Sequence, residues 1–206
     1  IVLAGVGGCL STTGQGAKKP KLELIAVAPD GNGFVEAQSG RPFVPFGTNY
    51  FDPNTGWPPQ TWAQFDPDRV TEHFAIMSRF GVNCARVFLA AGAFQPDVNT
   101  IDETALQKLD KLVEIAREAR IRLILTGPDH WEGSPAYWIP DRFAGAEALA
   151  AQDNFWRVVG QRYRGEPAIW AWDLLNEPEM PWFVESWRPK WNAWVEAKYT
   201  NIEGLK

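Results

Sequence analysis

The sequence has few of the residues that build metal sites and disulfide frameworks. It contains two histidines and two cysteines among 206 residues, and they are not clustered. A zinc site or a disulfide-stabilised scaffold is therefore not expected, and we expect an activity that needs no cofactor and no metal. No apolar run reaches the roughly 18 residues that a membrane-spanning helix needs, so no transmembrane helix is expected.

The sequence also lacks an excess of basic residues. The formal net charge of −5 argues against nucleic acid or an anionic membrane surface as the main partner, but it says little about a neutral ligand. No Gly-x-Gly-x-x-Gly motif and no P-loop follows any apolar run, which disfavours a dinucleotide- or phosphate-binding protein.

Tryptophan, in contrast, is abundant, with eleven residues. Packing in the core accounts for part of them, because large aromatic side chains are mostly buried. The others are candidate platforms on which the C–H faces of sugar rings pack. Composition alone does not separate the two groups.

The first residues resemble a bacterial export signal. Residues 1–10 are similar to the end of a signal-peptide apolar region, and residues 6–9 (VGGC) resemble a lipobox. We therefore expect Cys9 to be lipidated, residues 11–19 to be a flexible tether, and the protein to be extracytoplasmic, either secreted or anchored as a bacterial lipoprotein. The alternative is a disordered terminus in which Cys9 has no role.

Strand and helix patterns alternate along the rest of the chain. Residues 21–28 and 34–37 flank a Pro-Asp-Gly turn and predict a hairpin. Strands are predicted at 43–50, 82–90, 121–126 and 168–175, and helices at 66–80, from Asp102 or Thr104 to 116, at 146–164 and at 182–202. Pro189 is expected to break or restart the last helix.

The predicted strands are nearly continuous apolar runs, which is typical of parallel strands that are covered on both faces. Strand–helix units recur about every 40 residues, which favours a βα architecture. A closed eight-stranded barrel and an open doubly wound sheet both fit this pattern.

Polar residues follow the predicted strands. They are Asn49 and Tyr50, Arg86 within the second strand, Asp129-His130-Trp131, and Asn176-Glu177-Pro178. In a (β/α)₈ barrel the catalytic groups lie where strands end and loops begin, so these residues are the candidate site. Arg86 is also a candidate because a buried strand arginine needs a partner, and the sequence shows none.

Glu177 is the strongest candidate for a catalytic group. The apolar residues 169–172 lead into Asn176-Glu177-Pro178. Because proline disfavours the α region for the preceding residue, Glu177 is predicted to stay extended and to point into a cleft. Aromatic surroundings would favour its protonated form, as a general acid requires. The alternative is that Glu177 only accepts backbone hydrogen bonds in a loop.

Residues 172–178 (WDLLNEP) resemble the strand-four signature of glycoside hydrolase clan A, and they are most similar to family 5 cellulases and β-mannanases. The resemblance implies a (β/α)₈ TIM barrel and retaining hydrolysis of β-linked polysaccharide, either β-mannan or β-glucan. It also implies that Glu177 is the acid/base and that Asn176 donates a hydrogen bond to the sugar 2-hydroxyl.

Three further segments extend this resemblance. Residues 81–86 (GVNCAR) are similar to the strand-two motif, whose arginine, here Arg86, orients the nucleophile. His130 matches a strand-three histidine that lines the glycone site, and residues 47–50 (GTNY) resemble the strand-one opening. Asn49, Tyr50, Trp131 and Trp138 are candidate substrate contacts, although packing explains the two tryptophans equally well. His73 lies in a predicted helix and is interpreted as structural.

We therefore expect residues 1–20 to be a leader remnant and linker, and residues 21–206 to be a hairpin followed by roughly the first four βα units of the barrel. A retaining glycosidase needs a second carboxylate, which the resemblance places on strand seven. The expectation is a fragment that lacks its nucleophile and is inactive alone, from a full-length protein that is monomeric. The alternative function is a non-catalytic carbohydrate-binding or scaffold protein on the same fold. An aldolase would need a Schiff-base lysine at a strand end, and none of the four strands has one.

Overall fold

The computed structural model describes residues 21–129, 133–138, 141–143, 145–178, 185, 187–199 and 202–205. Cys9, His130 and Trp131, which the sequence predicted to be functional, lie outside the described residues. The strands are β1 (Ile25–Val27), β2 (Phe34–Glu36), β3 (Pro42–Phe43), β4 (Gly47–Tyr50), β5 (Cys84–Ala90), β6 (Arg122–Asp129) and β7 (Ile169–Asp173). The helices are α1 (Gln60–Ala63), α2 (Pro67–Arg79), α3 (Ala91–Phe94), α4 (Glu103–Ala119), α5 (Ala146–Arg162), α6 (Arg188–Lys198) and α7 (Ile202–Leu205), with a 3₁₀ turn at Ala136–Trp138.

Helices α2 and α4 begin where the sequence predicted. The Asp66 side chain accepts hydrogen bonds from the backbone N–H groups that start α2, and Pro67 occupies the first helical position, where its missing N–H costs nothing. Asp102 caps α4 in the same way. Gly81 follows α2 with φ 80°, a conformation that glycine adopts without strain. Of the helices in the described part, none is long and apolar enough to cross a bilayer.

Proline sets two element boundaries. The predicted strand 43–50 is divided into β3 and β4, and Pro45, which lies between them, has no N–H to donate to a ladder. Pro189 was predicted to break or restart a helix over residues 182–202. A helix begins there, because Pro189 lies in the first turn of α6, where proline is tolerated.

Strands β4 to β7 form a parallel sheet in chain order. One face packs against helices α2, α4 and α5 and forms the core, which includes Ala85, Val87, Leu89, Leu123, Leu125, Phe74, Leu109 and Phe155. The other face is open, and its groove is lined by residues that include Thr48, Asn49, Arg86, Ile124 and Trp170. The four consecutive βα units therefore present one buried face and one open face.

The pairing of β6 with β7 contains an irregularity that decides which side chains reach the open face. Leu123 pairs with Ile169, but the next residue of β6, Ile124, pairs with Ala171, so Trp170 is an extra residue. Side chains alternate between the two faces of a regular strand. The extra residue therefore reverses the facing of every later residue of β7.

The antiparallel sheet β1–β2–β3 covers the amino-terminal end of the parallel strands, and the predicted hairpin is confirmed. Arg122, the first residue of β6, is only 2% exposed. It donates hydrogen bonds to the Glu36 carboxylate of β2 and to the Glu23 carbonyl. Burial lowers the pKa of the Arg122 guanidinium, and the nearby Glu36 charge opposes that change. This buried ion pair fixes the small sheet at the end of the barrel opposite the candidate site.

Candidate active site

Arg86 of β5 lies at the centre of a polar cluster on the open face. Its Nε donates to Asp173 Oδ2 at 3.0 Å, and its Nη2 contacts both this oxygen and Asn176 Oδ1, the latter at 2.9 Å. Thr126 Oγ1 donates to the same Asp173 oxygen at 2.9 Å. One carboxylate oxygen thus links β5, β6 and β7.

The expectation that Arg86 has no partner within this chain was therefore wrong. Its partner, Asp173, is 87 positions away in the sequence, and only the folded sheet brings the two together. The pairing supplies the counter-charge that a partly buried arginine requires.

Asn176 is held firmly within this cluster. It is 4% exposed, and its Oδ1 accepts a hydrogen bond from Arg86. A guanidinium group only donates hydrogen bonds, so the contact requires the amide oxygen to face Arg86. The amide nitrogen, which is a donor, then lies at the other end of the side chain. This orientation suits an acceptor such as a sugar hydroxyl.

Glu177 follows the buried Asn176 directly and is itself exposed. Its φ of 40° lies in the left-handed region, so the prediction of an extended residue before Pro178 was wrong. Proline disfavours the right-handed α region but does not exclude a positive φ. The anchored Asn176 immediately before Glu177 holds the backbone in this unfavourable conformation. The described residues do not bury the Glu177 carboxylate, so the dry aromatic surroundings expected from the sequence are not found among them.

Asn49 lies with the polar cluster on the open face. Asn49 is the last residue of β4 that lines the groove. It is exposed, and it pairs in register with Arg86 across the β4–β5 ladder. The structure therefore places Asn49, Arg86 and Asn176 near one another, and Glu177 follows Asn176 directly in the chain.

Tyr50 does not belong to this group, although the sequence predicted it to contact substrate. It is 7% exposed, its hydroxyl contacts His73 Nδ1 at 3.2 Å, and its ring packs edge-on against Phe74. Burial, together with the charge of Asp52, raises the pKa of Tyr50 well above its ordinary value. Adjacent strand residues face opposite ways, so Tyr50 faces the helices because Asn49 faces the groove. His73 has the structural contact that was predicted for it.

Trp138 is also buried, so its ring is not available as a sugar platform. It belongs to the short 3₁₀ turn packed near α5, and packing, the alternative considered for it, is what the structure shows. The matching prediction for Trp131 lies outside the described residues, as does that for His130.

The structure shows an exposed aromatic pair that the sequence reasoning missed. Trp57 stacks on Phe51 with ring centroids 4.5 Å apart, and it is 51% exposed. Its edge contacts Phe88, over which the Arg86 guanidinium lies at 4.6 Å. The available signal was its position, because Trp57 follows an Asn-Thr-Gly turn in the loop that leaves β4.

Solved structures define the class of fold. An exo-beta-1,4-mannosidase from Opitutaceae bacterium strain TAV5 superposes with a TM-score of 0.63 at 22% identity, over 70% of this chain and 27% of that one. A family 5 mannosidase from Rhizomucor miehei superposes with a TM-score of 0.57 at 18% identity, over 84% of this chain and 53% of that one. The fold is a (β/α)₈ TIM barrel, of which these residues form the first four βα units.

The family follows from the sequence comparison. Residues 37–203 match the model of cellulase (glycosyl hydrolase family 5), and the chain belongs to this family. It is 27% identical over 196 residues to mannan endo-1,4-beta-mannosidase 8 of Oryza sativa subsp. japonica, covering 81% of this chain and 50% of the relative. It is 30% identical over 197 residues to mannan endo-1,4-beta-mannosidase 7 of the same plant, covering 81% and 49%. The chain spans about half the length of these relatives.

Proposed function

We propose that the protein is a retaining hydrolase of β-linked polysaccharide, with β-mannan as its substrate and Glu177 as its acid/base. The observation that carries this proposal is the pair of residues at the end of β7. Asn176 is buried and fixed by Arg86, and the next residue, Glu177, is exposed. A carboxyl group placed beside an oriented amide donor suits protonation of a glycosidic oxygen while a neighbouring hydroxyl is held.

In this mechanism Glu177 donates its proton to the leaving oxygen as a carboxylate nucleophile attacks the anomeric carbon. The glycosyl-enzyme ester is then hydrolysed by a water that Glu177 deprotonates. The two carboxyl groups of such an enzyme lie about 5–5.5 Å apart. Asp173 is occupied by Arg86 and Thr126, so we propose that the nucleophile comes from a later strand of the barrel and that residues 1–206 alone are inactive.

The mannan preference is supported by the names of the relatives, several of which are mannan endo-1,4-beta-mannosidases. The exposed Phe51–Trp57 pair supports a polymeric sugar substrate, because sugar rings pack through their apolar C–H faces on aromatic rings. Beta-glucan is the competing substrate within the same family, since the matching family model carries the name cellulase.

The test uses the whole protein encoded by the gene, assayed on soluble β-mannan and on soluble cellulose. Glu177→Gln keeps the shape of the side chain but removes its proton chemistry, and it is expected to lower mannan turnover by roughly 10²- to 10⁴-fold. An aryl glycoside with a good leaving group needs no protonation, so its first step should persist in this variant. Azide, which needs no general base, should then restore turnover and yield a glycosyl azide of retained configuration.

Glu166→Gln is the matched control, because Glu166 pairs with Arg117 on the outer side of the barrel, away from the groove. It should leave turnover on mannan and on the aryl glycoside unchanged. Full mannan turnover by the Glu177→Gln variant would contradict the proposal. Binding of mannan-oligosaccharides by the parent protein without any turnover would instead favour a non-catalytic carbohydrate-binding protein on the same fold.

We also propose that the protein is exported and anchored through Cys9, because residues 6–9 resemble a lipobox. Labelling of the bacterial host with a radioactive fatty acid should mark the parent protein and not a Cys9→Ala variant. Equal recovery of label in the parent and in the variant would contradict the anchor.

The whole protein is proposed to be a monomer.

A further inference from the structure

We propose that Asp173 is a positioning residue of the active site: through Arg86 it fixes the orientation of the Asn176 amide and the location of Glu177. The catalytic consequence of this inference rests on the proposed function. The geometric part stands on the contacts within the described residues, so the two parts can be tested separately.

The first support is the way in which Asp173 reaches the groove. Ile169, at the start of β7, faces the helices and belongs to the core. Asp173 lies four positions later and would face the same way in a regular strand, because side chains alternate with a period of two. The register irregularity at Trp170 reverses the facing, and Asp173 therefore points to the open face. Irregularities of this kind often re-aim a side chain next to an active site.

The second support is the number of donors that converge on one oxygen. Asp173 Oδ2 accepts from Arg86 Nε at 3.0 Å, from Arg86 Nη2, and from Thr126 Oγ1 at 2.9 Å. Thr126 is fully buried and so provides a rigid attachment to β6. Two charge-assisted hydrogen bonds from one guanidinium group to the carboxylate fix the plane of the guanidinium as well as its position.

The third support is the continuation of this contact to Asn176. The same Arg86 Nη2 that contacts Asp173 also donates to Asn176 Oδ1 at 2.9 Å. Because arginine cannot accept a hydrogen bond, this arrangement allows only one orientation of the amide. Loss of the Asp173 charge would free the guanidinium to move, and the amide could then turn its oxygen toward substrate. Glu177, the next residue, would lose the anchor that holds its left-handed turn.

Asp173→Asn tests this inference in the whole protein, because it keeps the side-chain volume and removes the charge. A small displacement of catalytic groups has a large kinetic effect, so kcat on mannan should fall by about a hundredfold while KM changes little. A Glu at position 173 keeps the charge, so Asp173→Glu should recover part of that loss. Asp110→Asn, which removes an acceptor from Arg162 on the outer helices, is the matched control and should leave kcat unchanged.

A second readout does not depend on turnover. In the parent protein, nuclear magnetic resonance spectra should show the Arg86 Nε–H signal in a hydrogen-bonded position, with well-resolved Asn176 amide signals. Asp173→Asn should shift both the Arg86 Nε–H signal and the Asn176 amide signals, and Asp110→Asn should shift neither. Circular dichroism would establish that each variant is folded.

The outcomes separate the two proposals. A kcat for Asp173→Asn within about twofold of the parent overturns the positioning role, whatever the spectra show. If the parent has no turnover, the proposed function fails on its own. The spectra then decide the inference, and unchanged Arg86 and Asn176 signals in Asp173→Asn overturn it.

Discussion

Trp57 stacks on Phe51, with ring centroids 4.5 Å apart and an angle of 24° between the ring planes. The pair lies beside Phe88, which in turn contacts the Arg86 guanidinium. An exposed flat aromatic surface thus adjoins the polar cluster, at the edge of the sheet where strands β4 and β5 end.

Trp57→Ala is expected to weaken binding of mannan-oligosaccharides, because it removes a large exposed aromatic surface next to the groove. Stacking contacts of aromatic rings contribute about 0.5–1.5 kcal/mol beyond buried area, so the dissociation constant should rise by roughly 2- to 12-fold. Isothermal titration calorimetry with the whole protein would measure this dissociation constant. Trp172→Phe, which alters an aromatic residue packed against Trp156, is the control and should not change the affinity.

Glu36→Gln should destabilise the folded chain, because it leaves the Arg122 guanidinium buried with its carbonyl contacts but without a counter-charge. Removing one partner of a buried ion pair costs about 3 kcal/mol of unfolding free energy. Urea unfolding monitored by tryptophan fluorescence would show the loss. The exposed pair Lys111–Glu114 gives the contrast, since Glu114→Gln should leave the urea midpoint almost unchanged. Equal midpoints for the two variants would contradict this prediction.

Asp52 should make stability depend on pH. Burial raises its pKa, but hydrogen bonds from the Asn54 backbone and the Arg69 guanidinium outweigh burial and hold the pKa below its ordinary value. A carboxyl group with a depressed folded-state pKa stabilises the fold above the unfolded-state pKa of about 4, and this contribution is lost as the pH falls further.

The Asp52→Asn variant should therefore be less stable than the parent at pH 7, by about 2 kcal/mol for a lost charged hydrogen bond. The difference should shrink as the pH falls below about 4, because the Asp52 carboxylate of the unfolded chain takes up a proton there before that of the folded chain does. Urea midpoints measured from pH 3 to pH 8 would test this. Asp30→Asn removes one carboxylate from an exposed turn and is the control variant. A constant gap between Asp52→Asn and the parent would count against the prediction.

Residues 21–206 expressed alone should self-associate. Strands β4 and β7 are the edges of the parallel sheet, and their outer backbone groups have no ladder partner within the described strands. Unpaired strand edges and an open face that includes Ile124 and Trp170 favour association with other copies. Sedimentation velocity should show dimers or larger species, without mannan hydrolysis. A stable monomer that hydrolyses mannan would contradict both this prediction and the proposed location of the nucleophile.

Much of the fold could be predicted from local sequence. The caps at Asp66 and Asp102, the glycine at 81, and the apolar runs of the parallel strands predicted the βα units to within a few residues. These features are local, since capping bonds and strand burial depend on neighbours a few positions away. The short helices α1 and α3 carry no comparable signal and were not predicted.

The candidate site could be predicted in part. Asn49, Asn176 and Glu177 were predicted as site residues because parallel strands place their carboxyl ends at one edge of the sheet. Tyr50 was predicted to contact substrate, and Trp138 was considered equally for substrate contact and for packing. The fold buries both. Trp57 was missed because exposure of a loop aromatic depends on what packs beside it.

The order of strands and helices, and the Asn-Glu pair that follows an apolar strand, can be read from the chain because they depend on short-range patterns. That Asp173 faces Arg86 follows only from the folded sheet. Strict alternation along β7 would have turned Asp173 toward the helices, and a single extra residue at Trp170 turned it to the groove. The face of the sheet toward which a side chain points depends on strand register, and register is set by the packing of the whole sheet rather than by any one segment.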